Sequence, residues 1–511
     1  MSEGRVEPPL LQVRDLKTYF YTYDGVVKAL DGVTFSVRRG ETVGLVGETG
    51  CGKSVTAFSI TRLIAEPPGR VQGGRILFSG ANLLWRIERE ASIKPIKGTV
   101  RAKVRRRFRR IKESQARLSA VRGSQITMIF QEPMAALNPV FSITHQLGES
   151  LLLHQALPTI DTVLAANPGA VNLTAATRDL ITAAREPGQP RLRQIAKTIG
   201  QVAGAPSLEH ELFYLFRGQS QNPEARVRGV VKAFARLRVN PIQRAYLLRE
   251  RRLAELRDDV HEQYYQEMRT GFSTAPLRRS LRVREWVEQF KGLWLSLPVL
   301  RKHASRALDQ EVFWQTVRML EQVGIANCVQ VARGYPHELS GGMIQRVMIA
   351  MALAPEPKLL IADEPTTALD VTIQAQILDL MHNLKSRIGT SILLITHDLG
   401  VVAEVCDRVC VMYAGHIVEV GPVRELFARP LHPYTQGLLA SIPRMDDPSK
   451  KLESIPGSVP NLIRPPGGCR FHPRCAFAME RCKVDLPVVT REGNDHVVAC
   501  WLYHGPEVAD Y

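Results

Sequence analysis

A chain of 511 residues, 45% of them hydrophobic and 23% charged, holds the material for two to four packed domains at roughly 150 residues each. That composition excludes a disordered tail, a collagen-like repeat and a small disulfide scaffold. Charge is the outlier: 67 Lys plus Arg against 50 Asp plus Glu leave a net +17, which points to a polyanionic partner such as a nucleotide, a nucleic acid or an anionic membrane surface.

No apolar stretch approaches the ~20 residues that span a bilayer. The first ten residues carry Glu3, Glu7 and a Pro pair where a signal peptide needs an apolar segment. The expectation is a cytosolic chain that can still sit on a membrane through a partner.

In chain order, Val-rich runs at 33–37 and 42–46, broken by Gly32 and Gly40, predict strands. The second run leads into Gly47-Glu48-Thr49-Gly50-Cys51-Gly52-Lys53-Ser54, and a helical pattern follows over 55–63. Strand, glycine-rich loop and helix together are the context of a Walker A loop. Its backbone N–H groups and the helix N-terminus cradle phosphates, Lys53 neutralises the β and γ oxygens, and Ser54 offers its hydroxyl to Mg²⁺.

A strand-turn unit at 74–80 precedes a segment of unusual charge. Between Arg86 and Gly123 there are fourteen Lys or Arg and three Glu, a net +11. Val100, Val104, Phe108, Ile111 and Leu118 recur there at helical spacing, which predicts one amphipathic basic helix over about 86–122. Strand character returns at 126–130, ending in Gln131.

From about 154 to 305 the pattern is helical and Arg-rich, with breaks at Pro187-Gly188 and Asn222-Pro223, and reads as an α-helical block of domain size. Beyond it the pattern predicts a helix over 320–354, a buried strand at 358–362, a helix over 374–387 and a buried strand at 391–396. Alternating strands and helices imply a mostly parallel α/β core.

The apolar strand ends in Asp363-Glu364, which places one carboxylate for a Mg²⁺ shell and a second to polarise water beside a γ-phosphate. Leu339-Ser340-Gly341-Gly342-Met343 opens a helix and forms a second anion-binding end. Within one site that end is redundant, so it makes sense facing a different nucleotide.

With these motifs in this order the chain resembles the ATP-binding subunit of an ABC transporter. The family signature LSGGQ appears as LSGGM, with Gln345 two residues on. The resemblance implies a P-loop, RecA-like ATPase core with a helical subdomain, working as a head-to-tail pair. In it Gln131 is the Q-loop glutamine, a Mg²⁺ neighbour that relays to the permease. Ala368-Leu369-Asp370 is the D-loop, and His397 is the switch histidine at the γ-phosphate. Phe20 is chosen to stack on adenine, with Tyr19, Tyr21 and Tyr23 competing. The phosphate loop is Gly47, Glu48, Thr49, Gly50, Cys51, Gly52, Lys53 and Ser54. Ser54, Gln131 and Asp363 surround Mg²⁺, Glu364 and His397 are catalytic, and Ser340, Gly341, Gly342 and Asp370 contact the partner's ATP.

The tail narrows the branch. Leu431-His432-Pro433-Tyr434-Thr435, Ile455-Pro456-Gly457-Ser458-Val459-Pro460 and Gly468-Cys469-Arg470-Phe471-His472-Pro473-Arg474-Cys475 resemble the C-terminal extension of oligopeptide and dipeptide transporter ATPases. Cys469, Cys475, Cys482 and Cys500, with five, six and seventeen residues between them, suit a tetrathiolate site. The family resemblance favours a [4Fe–4S] cluster, with Zn²⁺ as the alternative.

It also implies two membrane permease subunits, a second related ATPase in a heterodimer, an extracellular substrate-binding protein and a peripheral place on the cytoplasmic face of the membrane. The domains then run 1–153 (first part of the ATPase core), 154–305 (helical insertion), 306–427 (signature to switch histidine) and 428–511 (cysteine-rich extension). The basic segment motivates one competing function, a soluble ABC ATPase acting on nucleic acid. An iron–sulfur regulatory protein with a dead nucleotide site is disfavoured, because Lys53, Asp363, Glu364 and His397 are all present.

Overall fold

In the computed structural model the described residues are 8–95, 102–184, 190–217, 223–291, 298–367, 370–441, 455–493, 495–509 and 511. They form two compact units, one of residues up to Gln131 with Tyr264–Ser273 and Glu356–Tyr511, the other of Glu132–Gln263 with Thr274–Pro355.

The first unit is built on an eight-stranded sheet. Its order is Thr490–Arg491, Val497–Val498, His416–Pro422, Arg408–Tyr413, Thr42–Val46, Ser391–Ile395, Leu359–Asp363 and Ile126–Ile129. The last five strands of that order run parallel, and the first three form an antiparallel edge. Sequences such as Ser391-Ile-Leu-Leu-Ile395 show no alternation, and every residue of the strands Thr42–Val46, Leu359–Asp363 and Ser391–Ile395 is buried. A parallel sheet covered on both faces requires that pattern. The C-terminal ends of these strands carry the loop after Val46, the Asp363-Glu364 pair, His397 after Ile395, and Gln131. This is the edge where open α/β sheets bind ligands.

A separate antiparallel sheet holds Val26–Val37, Leu11–Tyr21, Gly69–Phe78 and Ala81–Asn82. Phe20 lies in its central strand, opposite Val27 on one side and Gly69 on the other.

The basic segment departs from the expected single helix. Ala91–Pro95 and Ala102–Arg106 pair as an antiparallel ribbon with Ile93 opposite Val104, and among the described residues the α-helix is confined to Phe108–Leu118, with a single 3₁₀ turn at Ile87–Arg89. Val104, counted as helical by its spacing, sits in a Lys-Val-Arg alternation that suits a strand. In the helix Leu118 is buried and Phe108 exposed. Val100 lies outside the described residues.

Among the described residues the regular elements of the second unit are all helices. Leu173–Ala183, Pro190–Val202, Pro206–Arg217 and Pro223–Arg236 share a core centred on Leu180, Leu192, Leu212, Phe216 and Val230. Leu151, Val312 and Ala354 form another small core in the same unit. Among the described residues of 154–305 the regular elements are helices, and most of them group with the helices on either side, including Gly341–Leu353. No helix among the described residues is long and apolar enough to cross a membrane.

Candidate active site

The loop from Gly47 to Gly52 joins the buried strand Thr42–Val46 to the helix Lys53–Ile60. Its tightness explains its glycines. At Gly47 φ is 152° and a Cβ would collide with the Met412 carbonyl, and at Gly52 φ is 110° with the Ala29 carbonyl in the way. Only glycine fits both the dihedrals and the space. Lys53, almost fully buried, donates its ammonium to the carbonyls of Gly47 (2.7 Å) and Glu48 (3.2 Å), so the charge is aimed along the loop.

Asp363 arrives from the strand Leu359–Asp363 and accepts a hydrogen bond from Ser54 Oγ at 3.0 Å. Two of the three residues expected around Mg²⁺ are therefore in contact. Burial pushes the Asp363 carboxyl up to about 6, helped by the charge of Glu364 and opposed by Ser54 and Lys53. A buried carboxylate beside a hydroxyl offers two oxygen ligands of the kind a hard divalent cation takes.

Glu364 is the hub. Gln131 Nε2 donates to its Oε2 at 3.0 Å, Thr367 Oγ1 donates to the same oxygen at 3.0 Å, and His397 Nδ1 stands 3.1 Å from Oε1. Burial favours its neutral form, but the bonds from His397 and Thr367 and the charges of His397 and Lys53 outweigh it and hold the carboxyl below the usual range. Its backbone is left-handed, φ 48°, with the amide bonded to the Ile395 carbonyl at 2.8 Å. For a non-glycine residue that conformation costs about 1 kcal/mol. An ionised, oriented carboxylate at the end of a rigid strand is equipped to accept a proton from water. Thr367 was not singled out from sequence, and a Thr three residues after a carboxylate carries no signal of its own.

A cavity of about 640 Å³ beside the loop is lined by Gly47, Glu48, Thr49 and His397, and also by Leu438, Gly457, Ser458 and Val459 of the C-terminal region. Phe20 does not line it. It packs over Gly69, while Tyr19 Oη donates to Asp31 and Tyr21 Oη to Gln72.

Asp370 accepts from the Ile373 amide at 2.9 Å and caps the helix Val371–Ile388, while Ala368 and Leu369 lie outside the described residues. In the second unit Ser340 caps Gly341–Leu353 by accepting from the Met343 amide, with Ser340 and Gly341 exposed.

The cysteines Cys469, Cys475, Cys482 and Cys500 are free thiols that line one small cavity with His432, Phe471, His472 and Trp501. Burial and the neighbouring thiols push Cys500 up to about 12. Among the described residues, however, no three His, Cys, Asp or Glu side chains stand close enough to hold a metal ion as they are placed.

The sequence profile described as "ABC transporter" matches residues 30–367, and that of "Oligopeptide/dipeptide transporter, C-terminal region" matches 418–482. The chain belongs to the ABC transporter ATPase family. As an ABC ATPase it hydrolyses ATP, and ATP with Mg²⁺ fits the loop and carboxylates described above. Its relatives include the oligopeptide transport ATP-binding protein AppD of Bacillus subtilis, 33% identical over 494 residues, covering 97% of each chain. The oligopeptide transport ATP-binding protein OppD of Salmonella typhimurium is 34% identical over 493 residues, covering 96% of this chain and 94% of its own. The dipeptide transport ATP-binding protein DppD of Bacillus subtilis is 32% identical, with the same coverage as OppD. Nothing in these comparisons favours an ATPase acting on nucleic acid.

Proposed function

We propose that the chain is the energy-coupling ATPase subunit of an importer for oligopeptides or dipeptides. The observation that carries this reading is the presence in one chain of the ABC transporter profile and the oligopeptide/dipeptide transporter C-terminal profile, over a strand edge that gathers Ser54, Asp363, Glu364, Gln131 and His397.

In this reading residues 47–54 grip the ATP phosphates, Ser54 and Asp363 hold Mg²⁺ with Gln131 nearby, and Glu364 takes the proton of the attacking water while His397 orients it. Ser340, Gly341, Gly342 and Asp370 meet the nucleotide of a second, related ATPase, so ATP binding closes the pair and hydrolysis reopens it. Two permease subunits supply the path through the membrane, an extracellular binding protein delivers substrate, and this chain sits on the cytoplasmic face. Residues 154–305 are an insertion in the helical subdomain. The adenine partner is Phe20 or one of the neighbouring tyrosines.

Cys469, Cys475, Cys482 and Cys500 would hold a [4Fe–4S] cluster or Zn²⁺ as a structural element of the tail. Four free thiols on one cavity support that reading, and it requires them to draw together. Broad visible absorbance of the purified protein would decide for the cluster, and a colourless protein with stoichiometric zinc for the alternative.

The test of the whole is co-expression with the permeases. Purified complexes in liposomes hydrolyse ATP faster when a peptide-loaded binding protein is added. Failure to associate with permeases, or ATPase activity indifferent to peptide, would overturn the proposal.

A further inference from the structure

The C-terminal region reaches the phosphate-binding loop through a buried charge. Arg474 Nη1 donates to Glu48 Oε2 at 2.7 Å and Nη2 to Oε1 at 3.0 Å, a two-pronged pair across 426 positions of sequence. The Arg474 side chain is 5% exposed and that of Glu48 29%. The same guanidinium donates through Nε to the Pro456 carbonyl at 2.7 Å and through Nη1 to Tyr413 Oη at 3.3 Å. It thereby anchors the segment whose next residues, Gly457, Ser458 and Val459, wall the cavity beside the loop. A second tail residue, Tyr434, accepts the Glu48 amide at 2.8 Å. Glu48 is one of the residues lining the cavity, so a bare carboxylate there would add to the four negative charges that a triphosphate brings.

We propose that Arg474 is a positioning residue for nucleotide binding, which neutralises the Glu48 carboxylate and makes the C-terminal region part of the ATP pocket of its own chain. The inference rests on reading residues 47–54 as the ATP site. Phosphate loops gain affinity from positive potential, and an acidic residue inside one opposes it unless a cation is fixed against it. A bidentate arginine is the group best suited to that task, because its planar fork orients the carboxylate as well as cancelling its charge. The aromatic packing of Arg474 against Tyr413 and Phe471 keeps the fork in place.

The experiment measures the Kd of Mg·ATP by competition with a fluorescent ATP analogue on the full-length protein, at low and high salt. Arg474→Met keeps the packing on the aromatic rings and strips the charge, so it should weaken Mg·ATP about fivefold, less at high salt. Glu48→Gln should shift Kd in the other direction by a similar factor, and the double variant should return close to wild type. That reciprocal pattern is not expected of a residue that only holds the tail folded. An unchanged Kd in Arg474→Met, a weaker Kd in Glu48→Gln, or a double variant as weak as Arg474→Met would each overturn the proposal. If Arg474→Met fails to fold, Glu48→Gln decides alone. A wild-type protein that binds no Mg·ATP would overturn the nucleotide reading itself, an outcome distinct from wild-type binding that the variants leave unmoved.

Discussion

His397 Nδ1 lies 3.1 Å from Glu364 Oε1, while the other carboxylate oxygen takes the Gln131 amide. Side chains following two parallel strands therefore converge on the acid carried by the strand between them. Replacing Glu364 with Gln keeps the size and most of the hydrogen-bonding capacity but removes the proton acceptor. Hydrolysis should fall about 10²–10⁴-fold with Mg·ATP binding retained. Phosphate release and nucleotide-binding assays on the same preparation check it, and normal turnover in this variant would remove Glu364 from the catalytic role.

The parts of this site that depend on local backbone were legible in the sequence. A phosphate loop needs Gly47, Gly52, Lys53 and Ser54 at fixed offsets after a buried strand, and a strand bearing Asp363-Glu364 announces itself by an unbroken apolar run. The Arg474–Glu48 pair and the Tyr434 bond were not, because a single charge or hydroxyl that meets its partner hundreds of residues away leaves no period to detect. The basic segment failed differently. Five apolar residues at near-helical intervals mimic a helix, but around Val104 they also alternate with Lys and Arg, and cross-strand pairing with Ile93 prevails over the weaker local preference.

Stability of the first unit should depend on a buried ion pair. Arg62 Nη2 and Glu90 Oε2 are 2.8 Å apart with side chains 3% and 1% exposed. Glu90→Ala leaves the guanidinium in the core without this counter-charge, at a loss of about 3–5 kcal/mol. Urea denaturation followed by tryptophan fluorescence measures it, and a loss below about 1 kcal/mol would show that water or another acid replaces Glu90.

Acid should loosen the C-terminal region through His432. Its Nδ1 accepts the Tyr434 amide at 3.0 Å, capping the helix Pro433–Ala440, so the folded chain needs the neutral ring. Burial pulls its pKa down to about 4, against the pull of Glu419 in the other direction. The unfolded chain, with an ordinary histidine, takes up the proton first. This contribution to stability is therefore complete above about pH 6.5 and is lost as pH falls toward 4, by up to about 3 kcal/mol. Thermal melts between pH 7.5 and 4.5 should show a steeper decline for wild type than for His432→Asn, which keeps a capping acceptor without the titration. Parallel declines would assign the acid sensitivity elsewhere.

The signature helix offers the test of pairing. Ser340 stands exposed at the N-terminus of Gly341–Leu353, with its hydroxyl turned back on the Met343 amide. A helix start with free amide donors attracts phosphate. If that phosphate belongs to a second ATPase subunit, Ser340→Arg obstructs the shared site without touching the loop Gly47–Ser54. Mg·ATP binding to the isolated chain should then stay within about twofold of wild type, because its own loop is intact. Steady-state ATPase of the assembled complex should fall at least about tenfold, a loss of roughly 1.4 kcal/mol or more of transition-state stabilisation. Nucleotide titration of the isolated chain and phosphate release by the complex separate the two effects. Loss of ATP binding in the isolated chain would place Ser340 at its own nucleotide and overturn the arrangement in trans.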